Sequence, residues 1–455
     1  MSIWTEAQAE RQLRSLELFG MRFGLDRMRR MMTALGSPER RFDVVHVLGT
    51  NGKSSTTRMT AAILQRHGLR TGAYLSPHLV SYRERIRVDG HELDTEAFAA
   101  AIARATHAAE QVNHTLAEDD HVTQFELLTA AALWEMARQR VDVAVVEAGL
   151  GGRYDATSVI DSRVTVLTNV GLEHTRWLGP TVKDIAEEKL AVVGARTPLV
   201  LGEGLAAPAL SVAERVARER EAQIVRPRPL APATQLRARG AFQRRNFALA
   251  RAAAEAYLQS VGIALDEQAV AQAAAATDIP GRLQLVSQDP PTVLDGAHNP
   301  DAVAALVESL PDVLDARPSG HTARSAGSGP TPSECVPVPR RPVALVLGVL
   351  EDKDAAAMLA ALMPIVARAW FTAPPSSRAL SPAALQSLAR QLGFEETACE
   401  PKPARALEHA QRWAGEHGGT VLATGSVYLV GDLLGRLERP EGLTVPGARR
   451  TSSAR

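Results

Sequence analysis

The sequence predicts two consecutive α/β domains, each a parallel sheet covered by helices on both faces. Short, β-branched apolar runs alternate with longer amphipathic stretches almost throughout. The runs read as buried strands, and the amphipathic stretches as the helices that cover them. After "SQDPP" (287–291) the alternation starts a second cycle.

In the first cycle the strands are "DVVHVLG" (43–49), "RTGAYLS" (70–76), "VDVAVVE" (141–147), "RVTVLTNV" (163–170) and "TPLVLGE" (197–203). "TTRMTAAILQRHG" (56–68) is a helix stopped by Gly68. "TVKDIAEEKLAVV" (181–193) opens with Thr181 and Asp184 at capping-box spacing. The second cycle supplies "TVLD" (292–295), "PVALVLG" (342–348), "AWFTA" (369–373) and "TVLATG" (420–425). Because proline disfavours continued helix on either side, the di-proline stretch marks the boundary. The domains expected are 1–286 and a smaller, Rossmann-like 292–438, with 439–455 a flexible tail. "ARPSGHTARSAGSGPTPSECVPVPRR" (316–341) is too rich in Pro, Ser, Gly and Arg to bury a core and reads as a disordered insertion.

Composition excludes several classes. Charge is balanced, 51 basic against 51 acidic residues, which argues against a nucleic-acid surface or an acidic tail. "RMRR" (27–30) and "RARGAFQRR" (237–245) are the basic clusters, and both read as solvated faces. Two distant cysteines, Cys335 and Cys399, suit a reducing compartment. The N-terminus is no signal peptide, and the longest apolar run, "VALVLGVL" (343–350), is the length of a buried strand. A cytoplasmic protein without membrane contact is expected.

"GTNGKSST" (49–56) is shorter than a Walker A loop, and alone it could be a turn before a helix. Its place between a strand and a helix favours phosphate, because a helix N-terminus points free amides at an anion and Lys53 would reach the β- and γ-phosphates. The first domain is therefore read as a P-loop ATPase domain. Ser76, Glu147, Glu173 and His174 follow strands of the same sheet and so share its carboxyl edge, where open α/β sheets bind ligands. One carboxylate there is usually a cap or an ion-pair member. A hydroxyl, a carboxylate and an imidazole near triphosphate suit Mg²⁺. Asp295 and His298, in "DGAHNP" (295–300), either cap a turn or face a cleft between the domains.

Together these stretches resemble the folylpolyglutamate synthase/dihydrofolate synthase family, within the Mur-ligase type of ATP-dependent amide ligase. The likeness runs from about residue 18 to 435 outside the insertion, through "SPHLVSYRERI", "GLGGRYDAT", "TNVGLEHTRWLG", "AEEKLAV", "PGRLQLV", "GVLEDKD" and "TGSVYLVGD". It implies that ATP phosphorylates a substrate carboxylate and that the amine of L-glutamate displaces the phosphate. By this likeness Asn51, Gly52, Lys53 and Ser54 hold ATP phosphates, and Asn246, Arg282 and Asp295 contact the nucleotide. Ser76, Glu147 and His174 would bind Mg²⁺, two ions in all, and His298 would lie by the γ-phosphate or glutamate. Lys189 matches a lysine that is carbamylated in relatives; otherwise it is an ordinary helix lysine. Asp26, Arg27, Thr123, Gln124, Phe125, Glu126, Tyr154, Asp155 and Ala156 match segments that hold dihydropteroate, although Phe125 is equally a core residue.

Two departures stand out. Many relatives have glycine at Ser54, so either Ser54 or Ser76 is the hydroxyl on the metal. Phe242 replaces a histidine before Gln243. The resemblance implies a monomer acting on dihydropteroate, reduced folates and glutamate. A folylpolyglutamate synthase alone, a peptidoglycan ligase or an ATP-hydrolysing switch are the alternatives.

Overall fold

The structure is a computed structural model that describes residues 4–16, 24–314 and 341–438. The expected insertion and tail lie outside the described residues, apart from Arg341 at the insertion's end. Two compact units form. Residues up to Gln284 group with the stretch from Asp301, and Leu285–Pro300 groups with the chain from Pro339 onward.

The first unit is built on an eight-stranded sheet: β1 (Asp43–Leu48), β2 (Thr71–Tyr74), β3 (Ile86–Val88), β4 (His91–Glu92), β5 (Val143–Glu147), β6 (Val164–Leu167), β7 (Leu199–Leu201) and β8 (Ile224–Val225). Their order is β4-β3-β2-β5-β1-β6-β7-β8. From β2 to β8 every neighbouring pair is parallel. The β3 and β4 additions at one edge are antiparallel, and nothing in their short, charged sequence announces them.

Alternation along the strands divides the core. Val44, Ala144 and Val146 pack with the helices Thr95–Asn113 and Gln124–Arg138. Val45, Val47, Val143 and Val145 pack on the other face, with the helices Lys53–Arg66 and Ala241–Ser260. The chain leaves β1 toward β2 and leaves β6 toward β7, in opposite directions along the sheet. A crevice must therefore open beyond the carboxyl ends of β1 and β6.

The second unit carries a six-stranded sheet: β9 (Gln284–Gln288), β10 (Pro291–Leu294), β11 (Val343–Leu347), β12 (Val366–Phe371), β13 (Thr397–Cys399) and β14 (Thr420–Thr424). Their order is β13-β12-β11-β14-β10-β9. "SQDPP" thus joins two neighbouring strands of one sheet. Its prolines are tolerated because Pro290 lies in the turn and Pro291 is the first residue of β10. Among the described residues no helix is long and apolar enough to cross a membrane.

Candidate active site

The glycine-bounded loop after β1 is held by residues that follow β6. The N–H groups of Thr50 and Asn51 donate to Asn169 Oδ1, at 3.2 and 2.8 Å. Thr168 Oγ1 donates to the Asn51 carbonyl at 2.6 Å. Gly49 has to be glycine. Its φ is +145°, and an added Cβ would lie 1.8 Å from Thr168 Oγ1. Gly52 adopts φ +81° with Asn246 Oδ1 against it. Asn246 itself donates to Gln243 Oε1 at 3.0 Å. The helix starts at Lys53, three residues earlier than its sequence pattern suggests, so Lys53 and Ser54 sit in the first turn with its free amides.

Two ammonium groups converge on one carbonyl. Lys53 Nζ donates to the oxygens of Gly49 and Thr50, at 3.0 and 3.1 Å, and Lys189 Nζ to Gly49 O at 2.8 Å. Lys189 is buried, whereas its sequence alone allows an ordinary exposed lysine. Burial, reinforced by the charge of Lys53, pulls its pKa down to about 7 against Glu173 and Asp155.

Glu147 ends β5 and is buried. Ser54 Oγ donates to its Oε1 at 3.0 Å, and the Ser76 N–H to its Oε2 at 3.1 Å. The hydroxyl on this carboxylate is that of Ser54, while Ser76 contributes its backbone. Burial raises Glu147 to about 7, although Lys53, the two donors and Arg282 all favour the charged form. His174, at φ +53°, faces Glu173 at 3.4 Å. Among the described residues no three of His, Cys, Asp and Glu gather as a metal cluster. Arg282 Nη1 donates to Gly281 O at 3.2 Å.

The segments matched to dihydropteroate behave differently. Arg27, expected on a solvated face, is buried. Its Nε reaches both Glu126 oxygens at 3.1 Å and its Nη1 reaches Asp120 at 3.0 Å. The other arginines of "RMRR" stay exposed, because the helical turn points only Arg27 and Met28 inward. Thr123 caps the following helix and donates to Glu126 Oε2 at 2.9 Å. Gln124 Nε2 donates to Leu13 O and Tyr82 Oη, at 2.9 and 3.2 Å. Asp26 is exposed and pairs with Arg30 at 2.8 Å. The Phe125 ring lies 6.1 Å from that of Tyr74 and covers Gly149, where a Cβ would meet it at 2.5 Å.

Tyr154 is half exposed, and Ala156 is buried. The Asp155 carboxylate is raised by burial and is taken up within its own loop. Oδ2 accepts from the Leu150 N–H at 2.7 Å, and Oδ1 from the Thr157 N–H and hydroxyl at 3.0 and 2.6 Å. In the second unit, Asp295 is buried and accepts from the Ala297 N–H at 2.8 Å. His298 Nδ1 lies 2.8 Å from Gly296 O. Asn169 and Thr168 escaped the sequence reading. Polar residues directly after a buried strand are the signal that would have found them.

Comparison with known proteins agrees with this architecture. Residues 47–198 match the Mur ligase middle domain. The chain is 30% identical to the dihydrofolate synthase/folylpolyglutamate synthase of Bacillus subtilis, over 92% of its own length and 96% of that protein's. It is 34% identical to a probable bifunctional folylpolyglutamate synthase/dihydropteroate synthase of Haloferax volcanii over 92% of its length, but spans only 49% of that longer protein. E. coli FolC in complex with DHPP and ADP superposes with a TM-score of 0.77 at 29% identity, covering 94% of this chain and 97% of that one.

Proposed function

This chain belongs to the dihydrofolate synthase/folylpolyglutamate synthase family of Mur-type ATP-dependent ligases, and on that premise we propose that it joins L-glutamate to 7,8-dihydropteroate and to the glutamate tail of tetrahydrofolate. The observation that carries the reading is the convergence of the phosphate loop, Lys53, Lys189 and a buried Glu147 at one sheet edge. A carboxylate oxygen of the acceptor attacks the γ-phosphorus and ADP leaves. The glutamate nitrogen then attacks the acyl carbon and loses a proton as phosphate departs. The protein's part is to position these groups and neutralise phosphate charge.

Asn51, Gly52, Lys53 and Ser54 cradle the phosphates, and Asn246 and Arg282 flank them. By resemblance Asp295 serves the nucleotide, and His298 the γ-phosphate or the incoming glutamate. Glu147, Ser76 and His174 would hold Mg²⁺. The donor set fits, since a buried carboxylate held by two donors gains its charge back from a cation, and Mg²⁺ takes few protein ligands. When bound, Mg²⁺ would offset phosphate charge.

Lys189 is assigned to carry CO₂ as a carbamate, formed when its neutral nitrogen attacks the carbon and releases a proton. Its lowered pKa supports this, because an unprotonated fraction exists near neutrality. Intact-protein mass with and without bicarbonate depletion checks the adduct. Asp26–Arg27, Thr123–Glu126 and Tyr154–Ala156 frame the acceptor site. The enzyme is read as a cytoplasmic monomer, with residues 1–286 the ATP-binding domain.

ADP release with dihydropteroate, tetrahydrofolate and glutamate omitted one at a time tests the function. Turnover should require glutamate and either acceptor. Activity with tetrahydrofolate alone would reduce the assignment to folylpolyglutamate synthase. ADP release without any acceptor would indicate a nucleotide-hydrolysing switch.

A further inference from the structure

His46 is out of character with its surroundings. It sits within β1, among Val44, Val45, Val47 and Leu48, with β5 and β6 on either side, and is 1% exposed. A valine would serve the core there equally well. Alternation places it on the same face as Val44, toward the helix Gln124–Arg138 and the short 3₁₀ turn Ala156–Val159.

Its Nε2 lies 2.8 Å from Thr157 Oγ1. The Thr157 hydroxyl has one hydrogen, and this goes to Asp155 Oδ1 at 2.6 Å. Nε2 must therefore be the donor and the threonine oxygen the acceptor. Burial agrees, lowering the imidazole pKa to about 4 and keeping it neutral. From Asp155 the chain of bonds continues to the Leu150 N–H. It thus ties the central strand to the glycine-rich stretch that follows Glu147. That stretch has little freedom elsewhere. Gly149 lies under the Phe125 ring, and a Cβ on Gly152 would be 2.5 Å from Lys189 O. Tyr154 and Ala156 flank the anchored aspartate.

We propose that His46 is a positioning residue for the loop 148–157, acting through Thr157 and Asp155 to set the affinity for the pteridine-bearing acceptor. The proposal rests on the reading that this loop meets that acceptor. Replacing His46 by a residue without a donor leaves a buried hydroxyl oxygen unpaired. The hydroxyl keeps its bond to Asp155 but loses its tether to β1, so the carboxylate and the Leu150 N–H it holds are no longer fixed to the central strand.

The test uses His46→Phe and, should that fail to fold, Thr157→Val, which cuts the same chain one bond further on. His46→Gln retains an amide donor and serves as the rescue. Hydrogen exchange across 148–157 reports the loop directly, and KM for dihydropteroate, ATP and glutamate reports the consequence. Loss of one buried hydrogen bond, about 1–2 kcal/mol, corresponds to roughly 5- to 30-fold. Exchange in this segment and KM for dihydropteroate should both rise by about that factor. KM for ATP and kcat should hold, and His46→Gln should lie near the parent. Unchanged exchange, or a uniform loss of all kinetic constants that His46→Gln fails to rescue, overturns the proposal. Tyr154→Ala separates the two levels. If it raises KM for dihydropteroate and His46→Phe does not, the proposal fails while the reading of the loop stands. If neither moves that constant, both fail.

Discussion

Two places in the first unit bury charge, and they use it in opposite ways. Around Arg27 the guanidinium meets the carboxylates of Glu126 and Asp120, and Glu126 also takes the hydroxyl and N–H of Thr123. Around Gly49, Lys53 and Lys189 rest on backbone carbonyls, and among the described residues neither they nor Glu147 enters an ion pair. The first cluster is closed, each of its charges paired within the protein. The second is left under-compensated, and burial drags both an acid and a base toward pH 7. Groups displaced in this way are candidates for a place where a ligand supplies the missing charge. Matching a family motif does not separate a frame from a contact; the hydrogen-bond partners do.

The largest effect should come from the closed cluster. Arg27→Ala leaves Glu126 buried without its cation and is expected to cost about 3–5 kcal/mol of stability. Denaturant unfolding measures this, and the contrast collapses if the variant is as stable as the parent yet inactive. Lys53→Ala should do the reverse. We expect the fold to be retained and turnover to fall ~100- to 1000-fold, about 3–4 kcal/mol of barrier. Near-normal turnover at saturating ATP would mean that the open cluster is not where phosphate charge is met.

A pH comparison sharpens the difference further. Glu147 is raised from 4.5 to about 7, so the folded state holds the extra proton between those values. Its contribution to stability is present below about pH 4.5 and is lost as pH rises to about 7. Lys189 is lowered from 10.5 to about 7, so there the unfolded state holds the extra proton. Its contribution improves as pH rises from about 7 toward 10.5. Without nucleotide, Glu147→Gln should flatten the acidic limb of the stability profile and Lys189→Met the alkaline limb. Identical profiles for parent and variants would place both groups in ordinary solvent. The smallest effect is expected at Asp26, whose exposed pair with Arg30 spans one helical turn. Asp26→Ala should change stability by no more than about 0.5 kcal/mol, and a larger loss would extend the closed cluster to the surface.

The sequence alone determined what depends on local pattern. Alternating apolar runs and amphipathic stretches yielded the parallel cores of two sheets, Thr181 and Asp184 yielded a capping box, and a glycine-bounded lysine after a strand yielded the turn into a helix. These follow from backbone geometry and side-chain period within a few residues. Tertiary structure alone decided the partners. Ser54, and not Ser76, gives its hydroxyl to Glu147, 93 residues away. Arg27 turns inward to Glu126, 99 residues on, and His46 finds Thr157 at a separation of 111. "SQDPP" became a connection inside one sheet because β9 found a place at its edge. Such pairings depend on which helix packs over which strand and how deeply water is excluded. No short stretch of sequence carries that information, since burial decides whether the same arginine or histidine is solvated, paired or used.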